Sequence, residues 1–249
     1  MSEIKIFGLI LIFIVTIISG AYPFIKKKIS SEKFDFPTGE SLASGIFLGA
    51  GLIHMLGDSA QGFLEQHIDY PFAFLIAGTV FLFFLLMDHI GRTLYKKDHQ
   101  ASKSFAIMAT IMLSIHSLFT GAALGITNTM ALVVIVLIAI LAHKWAASFA
   151  LSIYINKSAM KFSTAMILFG IFSLMVPIGI IFGDIINTQL SKDSLLDPIF
   201  SAVASGTFLY LGTLHGLDRA VMVKNCCALR NFYFVIIGFA IMAVVAIWT

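Results

Sequence analysis

The chain has 249 residues, of which 59% are hydrophobic and only 12% charged, with a mean hydropathy of +0.98. Soluble domains carry about 25% charged residues, so this shortfall argues against one and for an integral membrane protein. The net charge of +3 says little until its distribution is known, and Cys226 and Cys227, adjacent and near Lys224 and Arg230, read as two loop thiols rather than a disulfide framework or a zinc knuckle.

A helix needs about 20 mostly apolar residues to cross a bilayer. Taken in chain order, the sequence predicts eight such spans, near 5–25, 41–64, 71–92, 104–127, 130–155, 162–186, 198–218 and 231–248. The expected fold is all-α, a single transmembrane domain over residues 1–249. Lys26-Lys27-Lys28 follow the first apolar run, whereas a secretory signal carries its positive charge ahead of the run and small residues behind it. The first span is therefore read as a retained helix. Little more than Asn128-Thr129 separates spans four and five, which predicts a tight hairpin.

Positive charge falls in every second connection. Lys26, Lys27, Lys28 and Lys33 lie between spans one and two, and Arg92, Lys96, Lys97 and Lys103 between three and four. Lys157 and Lys161 lie between five and six, and Arg219, Lys224 and Arg230 between seven and eight. The alternate connections hold Glu65 and Asp69, then no charge, then Lys192 with Asp184, Asp193 and Asp197. Basic loops face the cytoplasm, so both termini are expected outside, in a multi-pass protein of the plasma (inner) membrane.

Ionisable side chains inside the hydrocarbon slab are costly and by default mark a functional site. Here they are His54 and Asp58 on span two, His116 on span four, His143 and Lys144 on span five, and His215 and Asp218 on span seven. Asp88 and His89 can snorkel to the interface at the inner end of span three, and His67 and His99 lie in loops. His54 and Asp58 are four apart and share a face, as do His116 and Thr120. Gly121 and Gly125, with Ala122 between, face small residues Ala142, Ala146, Ala147 and Ala150 on span five in this reading. The hairpin of spans four and five is thus expected to pack tightly and to bring His116 to His143 at mid-membrane.

At about 1.5 Å of rise per residue, the polar groups form a ladder: Asp58 outermost, His54, His116 and His143 near the centre, His215 toward the cytoplasm. One such histidine is ordinarily an interhelical hydrogen-bonding residue. Four on four spans at neighbouring depths point instead to an intramembrane imidazole–carboxylate site. Neutral imidazole suits zinc and other late divalent ions, whereas magnesium and calcium prefer oxygen.

These residues resemble the ZIP metal-ion transporters. "SGIFLGAGLIHMLGDSAQG" in span two is similar to S-G-x-F-L-x-x-x-x-x-H-x-L-P-D, and "HSLFTGAALGI" in span four to H-[SN]-x-x-E-G-x-A-x-G. "LAHKWAASFALS" in span five looks like the variant opened by His-Lys, and "SGTFLYLGTLHGLD" in span seven is similar to G-T-F-L-Y-x-x-x-x-E. The resemblance implies eight helices in a 3+2+3 inverted-repeat bundle, usually homodimeric, moving metal from outside into the cytoplasm by a proposed sliding-domain mechanism. It implies His116 and His143 as metal ligands, Ser117 and Thr120 as further site positions, and His54 and Asp58 on the outer side. His215 stands where the family usually has Glu. Thr120 replaces the usual Glu of span four, Ala147 a frequent Glu or His, and Gly57 a Pro. Lys144 falls where two-metal members carry a carboxylate, so one metal with Lys144 as charge compensation is expected.

Three other classes compete. A haem-binding membrane electron carrier would use paired histidines, though no C-x-x-C-H motif is present. An intramembrane metalloenzyme needs a general base beside open zinc, and no Glu neighbours a membrane-embedded His. His54-x-x-x-Asp58 also resembles cation-diffusion exporters, which have six helices and a cytoplasmic domain; none is expected here, the sequence ending at Thr249. The expected partners are a divalent metal ion, zinc first, the lipid bilayer and a second copy of the chain. No cofactor, enzymatic activity or nucleic acid is expected, and a divergent transporter of altered specificity is the nearest alternative.

Overall fold

The computed structural model describes residues 2–29, 36–94, 98–127, 129–158, 160–187, 195–214 and 229–248. His215, Asp218, Arg219, Lys224, Cys226 and Cys227 lie outside the described residues, as do Asn128, Lys33, Lys96, Lys97, Lys192 and Asp193. Within the description all regular structure is helical. Hydrocarbon offers no hydrogen-bond partners, so a backbone crossing it must satisfy its own N–H and C=O groups.

The elements are α1 (Glu3–Ile29), α2 (Pro37–Gly49), a wider π-helical turn (Ala50–Met55), α3 (Leu56–Glu65), α4 (Phe72–Leu94), α5 (Asp98–Ile126), α6 (Met130–Lys157), α7 (Phe162–Asn187), α8 (Leu196–Tyr210) and α9 (Leu229–Val245). The short break between α5 and α6 agrees with the predicted hairpin. Among the described residues six stretches are long and apolar enough to cross a membrane: Glu3–Lys27, Pro37–Glu65, Phe72–Gly91, Lys103–Ile126, Met130–Lys157 and Phe162–Asn187. Of the predicted seventh and eighth spans, α8 has 15 residues and α9 has 17. A second π-helical turn follows α8 at 211–214. Large apolar side chains such as Phe7, Ile18, Phe83, Leu86, Ile167 and Phe232 are exposed around the outside, as a lipid-facing surface requires.

The helices divide into two sets. α5 lies along α7 and α1 along α6, while α2 lies along α9 and α4 along α8; contacts between the sets run mainly through α5 with α8 and α2 with α6. Glycines make the first of these pairings possible. A methyl group on Gly121 would sit 2.5 Å from the Val176 carbonyl oxygen, one on Gly125 2.4 Å from that of Ile180, and one on Gly183 2.2 Å from that of Ala122. The two backbones are therefore in contact, the geometry that small residues four apart permit in membranes. This corrects the sequence expectation: the glycine face of span four closes on α7, not on its hairpin partner α6. The α6 alanines Ala146, Ala147 and Ala150 are buried instead in a core shared with Ala43 and Phe47 of α2.

Polar contacts show which helix ends lie together. At one end Lys5 donates to the Gly125 carbonyl at 2.6 Å and to Asp184 at 2.9 Å. At the opposite end Lys157 pairs with Glu40, and Lys27 donates to the Asn156 carbonyl. α1 and α6 thus run to the end where α2 starts, and α5 and α7 run to the end where α1 starts.

Candidate metal site between the two helix sets

The π-helical turn is where span two departs from a regular helix. Such insertions widen one turn, re-aim the side chains after them and are frequent at functional sites. His54 lies in this turn, with its Nδ1–H donating to Asp58 Oδ2 at 2.9 Å. The carboxylate fixes the ring's orientation and makes Nε2 the basic nitrogen, as second partners of metal-binding histidines commonly do. Ser205 of α8 donates to the Gly51 carbonyl at 2.9 Å, tying the loosened turn to α8.

His116 on α5 and His143 on α6 are 2% and 1% exposed, and their ring centroids are 5.6 Å apart. His54 brings a third ring to 6.5 Å from His143. Three imidazoles from three spans thus converge where two helix sets meet. The Thr120 hydroxyl proton goes to the His116 carbonyl at 2.8 Å, so its oxygen, 3.3 Å from His116 Nε2, acts as acceptor. This network assigns the hydrogen to Nε2 and leaves Nδ1 with the lone pair. His116 Nδ1 has no hydrogen-bond partner among the described residues, and neither does either ring nitrogen of His143, though the Ala139 carbonyl lies one turn back. Buried polar atoms are nearly always satisfied, so an orphaned set of imidazole nitrogens on facing helices asks for a ligand. No three His, Cys, Asp or Glu side chains among the described residues are close enough together to enclose one ion.

Lys144, next to His143, is 2% exposed. Its ammonium donates to Ser117 Oγ at 2.7 Å and lies 3.8 Å over the Phe172 ring. Ser117 is therefore turned toward Lys144, and Thr120 is the hydroxyl beside the imidazoles. Two residues that sequence reasoning did not single out also belong here. Phe208 of α8 stacks on His116 at 3.9 Å and meets His143 edge-on at 5.3 Å. Asp197, counted before only as a loop charge, lines a cavity of about 110 Å³ together with His54, Asp58, Phe119, Thr120 and Ser201. Phe208 sits inside the GTFLY stretch, so a signal for it was present; Asp197 carried none beyond its charge. His67 and His89 are exposed and away from the site, in keeping with their loop and interface readings.

Fold and site together define a polytopic α-helical membrane protein with an imidazole cluster buried between helix sets. A family profile described as ZIP Zinc transporter matches residues 2–105 and 96–246. The chain is 26% identical to Zinc transporter ZIP2 of Mus musculus over 260 residues, covering 83% of each protein. It is 28% identical to Zinc transporter 11 of Arabidopsis thaliana over 293 residues, covering 99% of this chain and 85% of that one. A local match at 40% identity to Protein zntD of Dictyostelium discoideum spans 55% of this chain and 21% of that protein. The chain belongs to the ZIP zinc transporter family.

Proposed function

We propose that the protein carries a divalent metal ion, zinc first, across a bilayer from outside into the cytoplasm. The observation that carries this reading is the convergence of His54, His116 and His143 at the seam between helix sets, where ring nitrogens of His116 and His143 have no hydrogen-bond partner among the described residues. Dehydrated zinc binds neutral imidazole well, and a histidine-dominated site disfavours the oxygen-seeking magnesium and calcium. Asp58 and Asp197 at the cavity mouth attract the cation, Asp58 orients His54, and His116 and His143 receive the ion beside Thr120, His215 being a further expected ligand outside the described residues. Ser117 holds Lys144, whose fixed charge supplies the compensation that a second metal provides elsewhere and limits the site to one equivalent. The nearest alternative keeps this transport but shifts the metal, because Thr120 stands where a carboxylate is usual.

The same reading takes the chain as eight spans in a 3+2+3 inverted repeat, α8 and α9 being the described parts of the last two. The pairing of helices supports it. Exchanging spans one to three with six to eight, and four with five, turns the α1–α6 contact into α7–α5 and the α2–α9 contact into α8–α4. The cavity mouth then faces outward, Glu40 and Lys157 face the cytoplasm, both termini lie outside, the membrane is the plasma membrane and the working unit is a homodimer. Zinc uptake into proteoliposomes tests the function: His116→Ala and His143→Ala proteins of normal yield should lose flux. Undiminished flux in both removes the site assignment, and purified protein binding two zinc equivalents of equal affinity removes the role of Lys144.

A further inference from the structure

Among the described residues two partly buried lysine–carboxylate pairs at the helix ends differ in what they join. Lys5 and Asp184 belong to α1 and α7, inside one helix set. Glu40 and Lys157 belong to α2 and α6, one from each set, with side chains only 10% and 17% exposed. The pair therefore bridges the seam that also holds the imidazoles.

Register places it on the same line as the site. His143 and Lys157 are 14 residues apart on α6, and His54 and Glu40 are 14 apart on the second span. Fourteen residues are close to four helical turns, so Lys157 lies on the face of α6 that presents His143, about 21 Å further along. His54 meets His143 and Glu40 meets Lys157, so the two antiparallel spans touch at both positions. Between the two positions the seam is closed, Ala147, Ala150 and Leu151 being buried in one core with Ala43 and Phe47, and beside the ion pair Phe36 packs on the Phe149 ring at 5.6 Å, where a methyl on Gly39 would be 2.6 Å from the same ring. At the other end of the seam the cavity around Asp58 and Asp197 is open. One seam thus holds a cavity on one side of the imidazoles and is closed on the other.

Both members are also placed for stability. Glu40 is in the first turn of α2 and Lys157 in the last turn of α6, each where the helix dipole favours its sign. Breaking such a partly desolvated pair leaves an uncompensated charge, so the contact is strong while closed and must be given up for the seam to part.

We propose that the Glu40–Lys157 ion pair is the exit latch of the permeation seam, holding the two helix sets closed at the end opposite the open cavity. Its assignment to the cytoplasmic mouth rests on the transport reading above; its latch role does not. As the seam parts, Glu40 is released from Lys157 and offers the departing cation a carboxylate.

The latch is tested by labelling. In full-length protein with Cys226→Ser and Cys227→Ser, a reporter Ala150→Cys in the closed seam is exposed to a membrane-impermeant maleimide in proteoliposomes. Glu40→Gln and Lys157→Met should each raise its labelling at least about tenfold, as expected when one partner of a buried pair is lost. The exchanged protein, Glu40→Lys with Lys157→Glu, should return labelling toward the parent value, which a merely misfolded variant would not do. Lys5→Met, which breaks the pair inside one set, should leave labelling unchanged. Unchanged labelling in both single variants, or an exchanged protein labelled like the singles, overturns the latch. Labelling requires no metal, so failed zinc uptake would refute the transport reading while leaving this result to stand or fall alone.

Discussion

Gly179 and Gly170 lie on the same helix, α7, yet a methyl group should act on them oppositely. A Cβ at Gly179 would start 2.2 Å from the Leu118 carbonyl oxygen, against 3.4 Å or more for ordinary contact, so α5 and α7 would part by about 1 Å. At Gly170 nothing lies within 4 Å. Replacing a helical glycine by alanine gains about 1 kcal/mol of helix propensity at either site. Overpacking removes about 1–3 kcal/mol at Gly179 alone. The propensity gain cancels in the comparison, so Gly179→Ala should be less stable than Gly170→Ala by about 1–3 kcal/mol. At roughly 2–4 °C per kcal/mol for a chain of this size, that is a gap of roughly 2–12 °C. Thermal unfolding in detergent, followed by the surviving size-exclusion peak, measures it. Zinc uptake should fall with Gly179→Ala as well, because α5 carries His116 in register with His143. Equal melting temperatures for the two variants would refute the claim that the α5–α7 backbones touch.

Asp58→Ala should weaken zinc capture roughly 10–100-fold through the unfixed His54 ring, with maximal flux less affected; uptake measured across zinc concentrations separates the two. Uptake should decline as the outside is made more acid, since protonated imidazole cannot bind metal and the loss is on the acid side. A flux that rises on acidification would point to proton-driven transport instead. Thr120→Glu should tighten zinc binding beside His116 and slow release, read as a lower KM with lower maximal flux, because conduction needs binding weak enough to let the ion go. Zinc, iron, manganese and cadmium compared in the same proteoliposomes will show how far the carboxylate-poor site has shifted its preference.

Much was written in the one-dimensional pattern, for a plain reason. Apolar runs of about 20 residues have one way to satisfy a backbone in hydrocarbon, so the all-helical membrane class and the unusual status of His54, His116 and His143 can be read before any packing is known. The i,i+4 link of His54 to Asp58 is likewise local, and it survives the π-helical turn. Partners across helices are not local. The glycines of α5 announced a close neighbour, but small residues fit any small face, and only the assembled fold selected α7 over α6. Phe208 reached the imidazoles, Asp197 reached the cavity, Ser117 turned to Lys144, and Glu40 met Lys157 from 117 residues away. A sequence sets which side chains a bilayer will not tolerate alone; which of them find one another is decided by helix crossings whose contacts are spread over the whole chain.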